Sequence, residues 1–128
     1  MKIYVFGNED EKIDSGALLM VKNLKIEGIE FVIIQPNGDL PAEDNLVILD
    51  VVVGIDEIKV FDEKKLDKIK FTRVSAHDYD LGFQLRYLTK IGKIKKVTII
   101  GLPMYRQINE TQLQSILRKL VAQDMQGS

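Results

Sequence analysis

The sequence predicts an α/β fold, a three-layer doubly wound sandwich around a mostly parallel central sheet. Three observations point there. Short apolar runs recur around residues 2–6, 30–34, 46–49 and 97–100, nearly unbroken as in strands covered on both faces. Stretches with apolar residues at helical spacing separate them, and Gly or Pro stands near several of the changeovers. Strand, helix and strand in that succession form a parallel crossover unit.

Lys2-Ile3-Tyr4-Val5-Phe6 is β-branched and aromatic and ends at Gly7-Asn8, which predicts a buried strand and a turn. Ile13, Ala17, Leu18, Met20, Val21 and Leu24 then recur at helical spacing, with Asp14 and Ser15 at the helix entrance and Gly28 as its stop. Glu30 to Ile34 is the second strand, and Gln35-Pro36-Asn37-Gly38-Asp39 is a turn by composition. Leu46-Val47-Ile48-Leu49 predicts a third buried strand with Asp50 at its exit. Residues 58–61 and 70–74 are weaker strand signals around a lysine-rich segment, Lys64 to Lys70, expected as a short solvated helix or loop. Ser75-Ala76-His77-Asp78-Tyr79-Asp80 leads into a helix marked by Leu81, Leu85, Leu88 and Ile91 and closed by Gly92. Val97 to Gly101 is the last strand, Leu102-Pro103 its exit, and residues 110–122 an amphipathic helix carrying Leu113, Ile116, Leu117 and Leu120.

At 128 residues the chain fits one domain, expected over residues 1–124 with a disordered polar tail at 125–128. Lys+Arg 18 against Asp+Glu 19 leaves a formal net charge of -1, so no global field favours nucleic acid. The absence of cysteine excludes a disulfide framework, a thiolate zinc site and a cysteine nucleophile. The first apolar run is too short for a signal segment, and no stretch approaches the ~20 apolar residues of a membrane span. The expectation is a cytoplasmic protein, monomeric or weakly self-associating.

In an open α/β sheet, loops converge at the carboxyl edge of the strands while the framework stays rigid. Asp14 past the first strand, Asp50 at the third and His77 before the next helix all fall on that edge. Two carboxylates and an imidazole suit nickel, zinc or manganese with positions left open. They equally suit acid and base work in hydrolysis, with a carboxylate fixing the imidazole tautomer. Spacing leaves both open. Each residue also has a plainer reading: Asp14 as a helix N-cap, Asp50 as a turn cap, His77 as a surface loop residue. Against the plain reading of Asp50, Val51-Val52-Val53 continues the apolar run, and a carboxylate buried there is costly unless met. A lone Gly7 without Gly-x-Gly-x-x-Gly or a Walker loop argues against a nucleotide site, and Glu9, Asp10, Glu11 and Asp14 would repel phosphate.

Three separated pieces, in order, resemble the hydrogenase maturation endopeptidases of the M52 group. They are Gly7-Asn8 with Asp14-Ser15-Gly16 beyond, Leu46-Val47-Ile48-Leu49-Asp50, and Ser75-Ala76-His77 with Leu81-Gly82 behind it. The resemblance implies an endopeptidase that trims a carboxyl-terminal extension from the large-subunit precursor of a nickel-iron hydrogenase after nickel insertion. It implies that Asp14, Asp50 and His77 contact the metal; the same three are the expected catalytic residues, with the group that activates water, a carboxylate, the metal or both, left open. The nickel would belong to the substrate, with no permanently bound cofactor. The chain departs from the family in having a single acid at the helix entrance and no Gly-Thr-containing loop after the second strand. The alternative is therefore a non-catalytic, metal-sensing or precursor-binding relative.

Overall fold

The structure, a computed structural model, describes residues 1–6, 21–34, 40–71, 81–104 and 108–126. Five strands, β1 (Lys2–Phe6), β2 (Glu30–Ile34), β3 (Asn45–Val52), β4 (Lys59–Asp62) and β5 (Lys96–Pro103), form one sheet in the order β2-β1-β3-β5-β4. β2, β1, β3 and β5 run parallel, and β4 closes the far edge antiparallel to β5. Helices α1 (Leu81–Lys90) and α2 (Glu110–Gln126) and a 3₁₀ helix at Glu63–Lys68 flank the sheet. Val21 and Lys22 are also helical. The predicted α/β sandwich is what forms.

Side chains alternate across a strand, so one apolar run supplies two layers. Ile3, Val5, Val47, Leu49 and Val51 face a core shared with Val21, Leu24 and, from α2, Leu113 and Leu117. Tyr4, Phe6, Leu46, Ile48 and Val52 face a second core with Leu66, Leu81, Leu85 and Ile94. Burying each large aliphatic side chain is worth about 1.5–3 kcal/mol, which makes these layers the main source of stability.

Local signals set the ends of the elements. The Asp62 carboxylate accepts the Lys64 amide at 2.9 Å, and Asn109 Oδ1 accepts the Gln112 amide at 3.0 Å, each capping a helix start. Gly92 follows α1 with φ 80°, the left-handed turn glycine takes without strain. Gly28, at φ 89°, is held twice over. Its carbonyl accepts the amino terminus of Met1 at 2.9 Å, and a Cβ there would lie 3.1 Å from Val121 Cγ1 of α2.

Three boundaries differ from expectation. β3 continues to Val52, because Val51 and Val52 pair in register with Leu102 and Pro103 of a similarly extended β5. Asp50 therefore lies inside the strand and not at its exit. The strand expected from residue 70 is, among the described residues, a single antiparallel bridge between Phe71 and Val52, with the Val53 amide donating to the Lys70 carbonyl at 2.8 Å. The last helix runs to Gln126, past the expected end near residue 122 and through the start of the expected tail. Between Glu110 and Gln126 no Gly or Pro interrupts it, and Gly127 comes next. The predicted turns at Gly7-Asn8 and residues 35–39 lie outside the described residues.

At the amino edge, the Tyr4 hydroxyl, on a residue only 6% exposed, donates a hydrogen bond to the Glu43 carboxylate. Burial, that hydrogen bond, and the negative charges of Glu43 and Glu30 push the phenol up to about 12. Because the folded-state value lies above the unfolded value of ~10, this contribution is complete below pH ~10. It is lost as pH rises from there towards 12. We predict that Tyr4→Phe costs about 1 kcal/mol near neutrality. It should also flatten the fall in stability across that alkaline window, as read from urea midpoints measured at successive pH values. A parallel fall in both proteins would refute the assignment.

Candidate functional site

From β1 the chain moves outward to β2, then returns across β1 to β3 on its other side. The strand order thus reverses direction between β1 and β3, and the carboxyl ends of strands at such a switch point are where ligands of doubly wound sheets bind. The β1–β3 pairing is Tyr4 with Ile48 and Val5 with Leu49, whereas β3 stays paired with β5 through Val52 and Pro103. Past Leu49, then, β3 is laddered to β5 alone among the described strands. Asp50 is the first residue beyond that point.

Asp50 is 6% exposed and is the one charged or polar residue in the buried set of the described residues. Alternation puts its side chain on the face of Ile48 and Val52, the layer that holds α1. Taking a carboxylate out of water costs several kcal/mol unless hydrogen bonds replace the lost hydration. Asp50 Oδ1 accepts the Val51 amide at 2.8 Å, which supplies part of that replacement and fixes the carboxylate against its own strand. A charged group kept here is an expensive choice for stability alone, since its neighbours Leu49 and Val51 are buried at 0% and 3% exposure.

Gly101 of β5 pairs in register with Asp50. A Cβ on it would lie 2.9 Å from Val52 Cγ2, 3.1 Å from Phe61 Cε2 and 3.3 Å from Ile55 Cδ1. Glycine in this strand lets the apolar side chains of β3, β4 and the turn between them close over the neighbour of Asp50. The sequence alone places Gly101 only as the last residue of the final strand. The available signal was a glycine inside an otherwise apolar run, which marks close approach.

Of the three expected site residues the structure describes Asp50. Asp14 and His77 lie outside the described residues, as do Ser15, Gly16 and the segment 72–80. α1 begins at Leu81, four positions after His77 in the chain, and Leu81 and Leu85 pack in the layer that Asp50 faces. The Lys95 and Lys96 amides, beyond the other end of α1, donate to the Asp44 carbonyl at 3.0 and 2.8 Å, just ahead of β3. The Leu81 end of α1 is thereby directed to the carboxyl edge. Among the described residues no three His, Asp or Glu side chains gather closely enough to hold a metal ion. Nor is any described helix long and apolar enough to cross a membrane.

A family model described as hydrogenase maturation protease matches residues 26–126. The match takes in Asp50, residue 77 and every described strand except β1, and it starts after Asp14. No curated protein and no solved structure gives a match.

The Gly101 contacts generate a stability prediction. Gly101→Ala should lower unfolding free energy by about 1–3 kcal/mol, because Val52 is stiff at χ1 and cannot yield cheaply. A denaturant midpoint equal to wild type would show that the closure over Gly101 is loose.

Proposed function

The chain belongs to the hydrogenase maturation protease family, and from that premise we propose that it is an endopeptidase acting on the large-subunit precursor of a nickel-iron hydrogenase. It removes the carboxyl-terminal extension after nickel has been inserted. The observation that carries the reading to this chain's own chemistry is the buried Asp50 carboxylate, held by the Val51 amide near the carboxyl end of β3, beside the β1–β3 switch point of the sheet. Such a group is costly to fold around and well placed to meet a cation or a reacting peptide.

On this reading Asp14, Asp50 and His77 are both the metal-contacting and the catalytic residues. Their oxygen and nitrogen donors complete the coordination of a nickel ion that arrives already liganded by the precursor. Nickel is part of the substrate, and the protease keeps no cofactor of its own. Recognition of the metal and positioning of the peptide become one event, so a precursor without nickel is passed over. Water attacks the peptide carbonyl, the carbon–nitrogen bond breaks, and the leaving amine takes a proton. The fixed carboxylate of Asp50 is already oriented when the substrate arrives, which avoids reorganisation during the reaction. The reaction belongs in the cytoplasm, an assignment supported by the cysteine-free composition.

The test is incubation with nickel-loaded and nickel-free precursor, followed by intact-mass measurement. Wild type should release a carboxyl-terminal peptide from the loaded precursor only. Asp50→Asn and His77→Ala should each slow release by about 100-fold or more, the range expected on removing a group that takes part in proton transfer or charge stabilisation. Binding of the loaded precursor without any cleavage would replace this reading with that of a non-catalytic relative, a reading favoured by the missing Gly-Thr-containing loop. Neither binding nor cleavage would remove both.

A further inference from the structure

Charge along the chain is segregated although the total is nearly neutral. Residues 59–71 and 81–96 hold ten of the 18 Lys+Arg residues and only three acids, so the rest of the chain is correspondingly acidic. The basic segments share one layer. Leu66 of the 3₁₀ helix, Leu81 and Leu85 of α1 and Ile94 beyond it pack in the same core, and Arg86 reaches Asp67 at 3.7 Å. Lys90 and Lys93 have no ion pair among the described residues.

Along the outer side of α1 runs an apolar stripe at helical spacing. Phe83, Tyr87 and Ile91 are 56%, 52% and 48% exposed, and Arg86 and Lys90 lie on the same face. The Phe83 and Tyr87 rings stack on one another, with centroids 6.4 Å apart and planes at 9°. The stripe begins at the Leu81 end of the helix, the end directed to the carboxyl edge that carries Asp50. It continues away from that edge towards Lys90 and Lys93. Large apolar side chains framed by cations are the composition of a protein-binding patch, with aromatic and Arg anchors at its centre.

Resting on the function proposed above, we infer that the outer face of α1 is a docking surface for an acidic, apolar-bearing region of the precursor, outside the cleavage site. Charge selects this occupant over a second copy of the chain. A two-fold contact through the stripe would set the Arg86 and Lys90 rows of two copies against each other, a like-charge cost. A nucleic acid is disfavoured because the chain carries a formal net charge of -1 and Arg86 in the stripe is already paired with Asp67. Docking here brings a folded substrate up to the site edge and raises the effective concentration of its tail at Asp50.

Two double variants test the surface, Phe83→Ser with Tyr87→Ser and Lys90→Glu with Lys93→Glu, each checked by circular dichroism for wild-type folding. Binding of nickel-loaded precursor is measured in the Asp50→Asn background, and KM and kcat in the otherwise wild-type chain. Each double variant should weaken binding and raise KM about tenfold, which corresponds to ~1.4 kcal/mol. The value of kcat should stay unchanged, and affinity for the Lys90→Glu, Lys93→Glu variant should depend less on salt than that of wild type. Cleavage and binding at wild-type levels in both double variants would overturn the docking surface while leaving the protease reading intact. Failure of wild type itself to bind the precursor would overturn both. A wild-type dimer that the Phe83→Ser, Tyr87→Ser variant dissolves, or DNA or RNA oligonucleotides bound through Lys90 and Lys93 in preference to precursor, would assign the face to a different partner.

Discussion

β3 is covered on both faces, and the rest of the structure is arranged around that constraint. Every residue from Leu46 to Val52 is buried, with β1 on one flank and β5 on the other and a helical layer above and below. A strand in this position is stabilised almost wholly by apolar transfer and close packing, so each position in it tolerates little variation in size or polarity. Against that background Asp50 is the exception. Among the described residues it stands one position beyond the last β1 pair, Val5 with Leu49, and within the β5 ladder, and its carboxylate takes up the amide of the next residue. The strand keeps its pairing with β5 while holding a fixed carboxyl group near the carboxyl edge of the sheet.

The two ends of the parallel strands carry different kinds of interaction. At the amino edge, the Met1 amino group binds the Gly28 carbonyl, the Tyr4 hydroxyl binds Glu43, and the Lys95 and Lys96 amides bind the Asp44 carbonyl. These contacts tie β1 to the turn before β2, β1 to the approach to β3, and β3 to the approach to β5. At the carboxyl edge the described residues hold the buried Asp50 carboxylate and, just past it, the Val52–Phe71 bridge with the Val53 amide on the Lys70 carbonyl. Parallel topology produces this division, since all crossovers must leave from one edge and enter at the other. The entering chain is free to form stabilising links, while the leaving chain supplies the loops from which a site is built.

How much of this was legible in the sequence follows from what each element depends on. The strands β1, β3 and β5 announce themselves as apolar runs because burial on two faces demands it, whereas β2, an edge strand of which only Ile34 is buried, is legible from its β-branched and aromatic residues. β4 is the other edge strand, with Val60 46% exposed, and without that burial its signal is weak. Asp50 stood out as an acid in an apolar run. That it is inside the strand, and not at its end, depends on pairing with Gly101, a residue fifty-one positions away that no local pattern connects to it. The role of Gly101 is likewise a matter of what lies over it. The basic layer was hidden by a near-zero sum, because net charge discards position, and the exposed stripe on α1 was hidden within a helix whose apolar residues face both inward and outward. Asp14 and His77 were legible only as residue types at loop positions, and the described strands establish the edge they are expected to share.

A substrate-borne metal places a particular demand on a protein that reads it. A resident ion can assemble its own site, since the binding energy draws flexible ligands together. An ion carried by another protein has its coordination largely filled, and the reader must present its groups in advance at a surface the partner can approach. The Asp50 carboxylate meets the first part of that demand: it is held by the Val51 amide of its own main chain, in a strand paired in register with β5. The second part calls for contact area away from the metal, because one or two coordinate bonds would not by themselves align a folded precursor. An apolar, cationic helix face starting at the same edge supplies area of that kind, and this makes the outer side of α1 the natural counterpart of the buried carboxylate in the proposed reaction.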